Sequence, residues 1–151
     1  MSRTALLDVN VLVALFDPDH VHHDLAHDWF AHQRPRGWAT CPITEMGFVR
    51  VVSNPKYRPD APRPANALAQ LQKFCASGPH HFWPASVSLR DDTLFAPASA
   101  RGHAQITDIY LLGLAKRMDG ALATIDRTIP LSAVRGATAK HLLVIAPDAG
   151  A

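Results

Sequence analysis

The chain reads as short apolar runs separated by longer segments in which apolar residues recur every three or four positions. "TALLD" (4–8) is an apolar run bounded by polar residues, the pattern of a strand covered on both faces. In "VHHDLAHDWFAHQ" (21–33), Val21, Leu25 and Trp29 fall at helical spacing among histidines and aspartates, which predicts an amphipathic surface helix. "GWAT" (37–40) is a second strand. Pro42 then stands where a first helical residue belongs, and "PITEMGFVRVVSNP" runs as a helix until Asn54-Pro55 stops it. "NPKYRPDAPRP" reads as an exposed loop, "ANALAQLQKFCASG" as a helix closed by Gly78, and "HHFWPA" as a third strand. "QITDIYLLGLAKRMDG" is apolar almost all round and should be a covered helix ending at Gly120. "ALATID" and "HLLVIAP" supply strands four and five, on either side of a short segment around "RTIPLSAV".

Strands alternating with helices imply right-handed βαβ units and a parallel sheet wrapped by helices. A length of 151 residues suits one domain spanning 1–151, able to bury about 70% of its unfolded surface without disulfide or metal. With 48% hydrophobic and 19% charged residues, general disorder is excluded. The two cysteines, Cys41 and Cys75, are not paired by spacing and fit a reducing compartment. Asp8 breaks the N-terminal apolar run too early for a secretory signal, and no stretch is long enough to span a membrane. A soluble, cytoplasmic protein is expected. A net charge of +2 permits an anionic partner without demanding one.

Four carboxylates stand out against this pattern. In an open parallel sheet the working site lies beyond the carboxyl ends of the strands. Asp8 closes strand one and Asp126 closes strand four, so both can face that crevice, although either can also simply cap the following helix. Glu45 lies above Phe48, Val49 and Val52 at spacings of three, four and seven, on the stripe expected to face the core. Asp108 precedes Leu111, Leu112 and Ala115 on the covered helix, with Thr107 as a competing cap and no nearby Lys or Arg to neutralise it. Four acids near one sheet rim would repel each other. A divalent ion resolves the conflict, and hard oxygen donors favour Mg²⁺ or Mn²⁺ over zinc. Asn10 and Thr124, each two residues from one of these acids, are placed to assist.

In this respect the sequence resembles the PIN-domain nucleases, and among them the VapC-type toxins of bacterial toxin–antitoxin pairs. The stretches that carry the likeness are "LLDVNVLVALF", "ITEMGFVRV" and "ITDIYLLGLAKRMDGALATID", in that order, over residues 6 to 126. The resemblance implies a three-layer α/β/α fold with about five short parallel strands. It makes Asp8, Glu45, Asp108 and Asp126 the catalytic, metal-binding quartet, with Thr124 in a supporting role. It further implies Mg²⁺- or Mn²⁺-dependent hydrolysis of RNA phosphodiester bonds, a small antitoxin partner and a homodimer. Ile129 departs from the aromatic residue that many members carry after the fourth acid, and the likeness is weakest over 54–100.

Five histidines, His20, His22, His23, His27 and His32, cluster near the first surface helix; His23 and His27 share a face but lack a third zinc ligand. His103 could touch a phosphate or be an ordinary loop residue. Arg50, Lys56, Arg58 and Arg63 flank the proline-rich loop and could grip an RNA backbone, or only keep the loop soluble. Tyr57 could stack on a base, whereas Trp83 fits core packing better. A haloacid-dehalogenase phosphatase would need an acid where Asn10 stands, and a Rossmann nucleotide site would need glycines that "DVNVLVAL" lacks. A non-toxin RNA-processing nuclease and an inactive binding module of the same fold are the remaining alternatives.

Overall fold

Five parallel strands carry the fold. The computed structural model describes residues 3–147, and within them β1 (Ala5–Leu7), β2 (Trp38–Thr40), β3 (His80–Phe82), β4 (Ala121–Thr124) and β5 (Leu142–Val144) form one sheet in the order β3-β2-β1-β4-β5. Every neighbouring pair is parallel, so each connection crosses over through a helix or a long segment. The chain works outward from β1 to β3, then returns to lay β4 against the other side of β1. The strand order therefore reverses between β1 and β4, which opens a crevice at their carboxyl ends.

Strand geometry divides the core in two. Ala5 and Leu7 join one buried cluster and Leu6 the other, as alternation across the sheet requires. The first face is covered by α1 (Val9–Phe16), α2 (His23–Gln33), α3 (Pro42–Val52) and α4 (Pro64–Cys75). The second is covered by α5 (Ile106–Arg117), with Trp83, Leu94, Phe95, Ile129 and Val134 from the connecting segments. This is the three-layer α/β/α arrangement expected from the sequence, and Trp83 is a core residue. Gly113 lets the Phe95 ring lie against α5, because a Cβ there would overlap the ring. Among the described residues no helix is long and apolar enough to cross a membrane.

Several local expectations differ. Val21 is 86% exposed and precedes α2, whose buried face is Ala26, Phe30 and Gln33. Two histidines set that orientation. The His23 Nδ1–H donates to the Ala14 carbonyl at 2.7 Å and the His27 Nε2–H to the Leu15 carbonyl at 2.9 Å. They satisfy carbonyls of the last turn of α1 that have no helical donor of their own, so the histidine face stays open to solvent at His27 while it also anchors α2 to α1. The left-handed residue after α5 is Asp119 (φ 56°), not Gly120. Gly120 is required for space: a Cβ there would sit 2.6 Å from the Thr4 carbonyl and from the Trp83 ring.

The loop after α3 is only partly free. Asp17, 5% exposed, accepts the Tyr57 hydroxyl at 2.5 Å and the Arg58 guanidinium at 2.9 Å, while Asp19 and Asp60 also hold Arg58. The hydroxyl and guanidinium hold the Asp17 carboxyl below the usual carboxylate range, and Asp17 pins this loop to the end of α1.

Candidate active site

At the carboxyl ends of β1 and β4 lies an open cavity of about 340 Å³ whose walls include Asp8, Asn10, His20, Tyr57, Asp108 and Asp126. Asp8 follows β1 directly, in extended backbone (φ −64°, ψ 159°), as the N-cap of α1. One of its oxygens accepts the Val9 amide at 2.7 Å and the other the Thr124 hydroxyl at 2.9 Å. The cap reading and the site reading of Asp8 thus both hold. Thr124, fully buried at the end of β4, also accepts the Asp126 amide through its hydroxyl oxygen at 3.0 Å. One hydroxyl therefore sets the side chain of one acid and the backbone of the other. Asp126 lies two residues beyond β4, and one of its oxygens accepts the Thr128 amide and hydroxyl at 2.8 and 2.7 Å. Asp108 enters from the opposite layer, in the first turn of α5.

The electrostatics of the three acids are unbalanced. Burial, with added repulsion from Asp8 and Asp126, pushes the Asp108 carboxyl up to about 7. Burial also raises Asp8, against the opposing pull of the Thr124 and Val9 hydrogen bonds. Among the described residues, no Lys or Arg pairs with Asp8, Asp108 or Asp126. Asn10 adds a buried Oδ1 with no hydrogen-bond partner, an orphaned acceptor that costs about 1–3 kcal/mol if left so. Three uncompensated carboxylates and an unpartnered amide oxygen lining one open cavity are a hard-oxygen donor set, and a Mg²⁺- or Mn²⁺-sized ion fits it.

The fourth acid is placed differently. Phe48 and Val52 lie on the buried stripe of α3 as expected, but Thr44 takes its first place, so Glu45 is half-buried at its side. Its carboxylate accepts the Thr40 hydroxyl at 2.7 Å and neighbours Cys75 and His80 instead of lining the acid cavity. Burial and the Glu45 charge push the Cys75 thiol up to about 11, and burial lowers His80. The structure therefore brings together Asp8, Asn10, Asp108 and Asp126 around the cavity with Thr124 behind them, and leaves Glu45 outside its walls.

Of the remaining candidates, Thr107 and His103 are exposed and outside the cavity walls. Arg50 and Lys56 are exposed, and no carboxylate among the described residues pairs with them. Arg58 is committed to Asp17, Asp19 and Asp60, so it does not extend freely toward a ligand.

His20 is a wall residue that the sequence did not single out. It lies in the turn between α1 and α2, and its Nδ1 accepts the His22 amide at 3.0 Å, which leaves the proton on Nε2. Burial and the neighbouring His22 lower its pKa, so the ring is a neutral donor at neutral pH. Nothing in the run of five histidines distinguishes it, because only the turn after Asp17-Pro18 brings it to the cavity.

Residues 5–135 match the PIN domain family. Ribonuclease VapC44 of Mycobacterium tuberculosis is 45% identical over 141 residues, covering 93% of this chain and 99% of that protein. Ribonuclease VapC39 of the same species is 44% identical over 133 residues, covering 88% and 96%. Ribonuclease VapC38 is 45% identical over 142 residues, covering 93% and 99%.

Proposed function

The chain belongs to the PIN-domain family, and from that membership we propose that it is a metal-dependent endoribonuclease of the VapC type, the toxin of a toxin–antitoxin pair. The observation that carries this reading is the meeting of Asp8, Asp108 and Asp126 around one cavity at the β1–β4 reversal, with no cationic partner among the described residues. Asp8 and Asp108 are the first-choice ligands of Mg²⁺ or Mn²⁺, with Asp126 and the Asn10 carbonyl oxygen completing the set directly or through water. Glu45, on the neighbouring side of the sheet, is the fourth acid of the family pattern and would act only through water or after a change of side-chain position.

A bound divalent ion would supply positive charge for an in-line transition state and make an attacking water more acidic. The chain's own groups do the rest. The Val9 amide and Thr124 hydroxyl fix both Asp8 oxygens, so its lone pairs are oriented before any ligand arrives. The Thr128 amide and hydroxyl hold one Asp126 oxygen and leave the other free to ligate. Asp108, pushed up to about 7, must lose its proton to ligate, so metal affinity should rise with pH through about 7. The neutral His20, holding its proton on Nε2, can donate to a phosphate oxygen at the cavity wall. Exposed Arg50 and Lys56 would contribute salt-dependent attraction for the RNA backbone.

For the antitoxin, we propose an amphipathic helix seated in the apolar groove of about 330 Å³ lined by Leu12, Leu15, Phe16, Phe48, Leu71 and Phe74. Co-expression with the adjacent reading frame tests this, and failure to co-purify with any small neighbour counts against toxin status. A homodimer is part of the same proposal, checked by light scattering.

The nuclease reading is tested by incubating purified protein with structured and single-stranded RNA in Mg²⁺, Mn²⁺ or EDTA, beside an Asp108→Asn preparation. Metal-dependent cutting that disappears in the variant supports it. No cutting together with no metal binding by calorimetry would point to a binding module.

A further inference from the structure

Away from the acid cavity, three different metal-ligating side chains meet beside β2. Glu45 comes from α3, Cys75 is the last residue of α4, and His80 opens β3. One carboxylate oxygen, the Cys75 Sγ and one imidazole nitrogen all lie within 4.8 Å of one another. We propose that Glu45, Cys75 and His80 form a second metal site, which takes Zn²⁺ or a similarly thiophilic divalent ion and is separate from the Asp8–Asp108–Asp126 centre.

The donor chemistry separates the two sites. A thiolate and an imidazole favour zinc, whereas the carboxylates and amide oxygen around Asp8 favour Mg²⁺ or Mn²⁺. Charge balances as well: Cys75 binds as the thiolate, its proton passing to solvent, and with the Glu45 carboxylate neutralises a doubly charged ion. Among the described residues Glu45 has no Lys or Arg ion pair to compete with the ion. Zinc–ligand bonds of about 2.0–2.3 Å imply ligand atoms about 3.3–3.8 Å apart in a tetrahedron. With every separation within 4.8 Å, the cluster needs to tighten by no more than about 1.5 Å to meet that geometry. Three protein ligands leave the fourth position to water.

The surroundings orient two of the three donors in advance. The Thr40 hydroxyl, fully buried, donates to Glu45 at 2.7 Å and lies 2.8 Å from His80 Nε2. Trp38, also fully buried, packs against the His80 ring with centroids 4.5 Å apart. Such contacts behind ligands are what steady a metal site. An ion here would link α3, the end of α4 and β3, and would hold Glu45 on the β2 side of the sheet.

Cobalt tests the proposal directly, because a thiolate bound to Co²⁺ gives a charge-transfer absorption that carboxylate or histidine sites do not. EDTA-treated, dialysed full-length protein should develop this band with one Co²⁺ per chain, and added Zn²⁺ should abolish it. The band should be lost in Cys75→Ser and kept in Asp108→Asn. Zn²⁺ should raise the Tm of wild type and Asp108→Asn by several degrees, and that shift should be absent in Cys75→Ser and in His80→Asn. Circular dichroism of the metal-free variants checks that both are folded. Absence of the band in wild type, its survival in Cys75→Ser, or an equal zinc shift in that variant would overturn the assignment. Absence of RNA cleavage by the wild-type protein with its cobalt band intact would instead count against the nuclease reading alone.

Discussion

Asp108 offers the sharpest test of the acid site, because the structure assigns it opposite effects on stability and on function. Its folded-state pKa of about 7 stands above an unfolded carboxylate near 3.8. Between those values the folded chain binds the proton more tightly than the unfolded chain does. Stability of the metal-free protein should therefore fall as pH rises through this window, with the whole loss present above about pH 7. Taken at face value, a shift of that size corresponds to about 4 kcal/mol. Asp108 is only half-buried and the cavity is open, so solvent screening reduces this to about 1–2 kcal/mol.

An Asp108→Asn substitution keeps the shape and removes the titration. In EDTA it should leave stability unchanged near pH 4 and raise Tm by about 3–6 °C near pH 8, since about 1 kcal/mol corresponds to 2–4 °C in a domain of this size. In Mg²⁺ the order should reverse, with wild type gaining stability from the ion while the variant gains little, and RNA cleavage should be lost. Scanning fluorimetry across pH, with and without Mg²⁺, reads all of this in one plate. Parallel pH profiles for the two proteins in EDTA would refute the claim that burial, with repulsion from Asp8 and Asp126, raises the Asp108 carboxyl.

Three further substitutions probe the supports of the site and fold. Thr124→Val removes the donor to buried Asp8 and the acceptor for the Asp126 amide. It should cost about 1–3 kcal/mol in urea unfolding and weaken Mg²⁺ binding by calorimetry, with Thr124→Ser restoring both. Asp17→Ala strips Tyr57 and Arg58 of their shared acceptor and should cost about 2–3 kcal/mol at pH 7. Because the folded pKa of Asp17 is lowered, its stabilisation is full above about pH 4 and fades as pH falls through that lowered value. Urea midpoints of wild type and variant should therefore converge in acid, and a constant gap would exclude the charged network. Gly113→Ala pushes a methyl into the Phe95 ring and should cost about 1–3 kcal/mol; an unchanged Tm would mean that the ring moves freely.

What could be read from the sequence, and what could not, follows from the range of the interactions involved. Strands β1 and β4 announce themselves because strands covered on both faces need continuous apolar runs. Asp8, Asp108 and Asp126 announce themselves because a carboxylate in or beside such a run needs a reason to be there. These signals are local. Glu45 shows where local reasoning ends: neighbouring helical positions differ by about 100°, and an apolar stripe is itself about that wide. Periodicity alone therefore cannot say whether Thr44 or Glu45 faces inward, and packing gave that place to Thr44, fully buried beside Cys41. The same limit applies to His23 and His27, whose partners lie 9 and 12 residues away, and to Asp17, held by Tyr57 and Arg58 at separations of 40 and 41. Each is an ordinary polar residue until the sheet reverses at β1. That reversal brings Asp8 and Asp126 together, and it rests on β4 returning beside β1, with Ala5, Leu6 and Leu7 in register with Ala121, Leu122 and Ala123. Three consecutive small or aliphatic pairs allow that approach, and a bulky polar residue at Ala123 would separate Thr124 from Asp8 before it disturbed any acid directly.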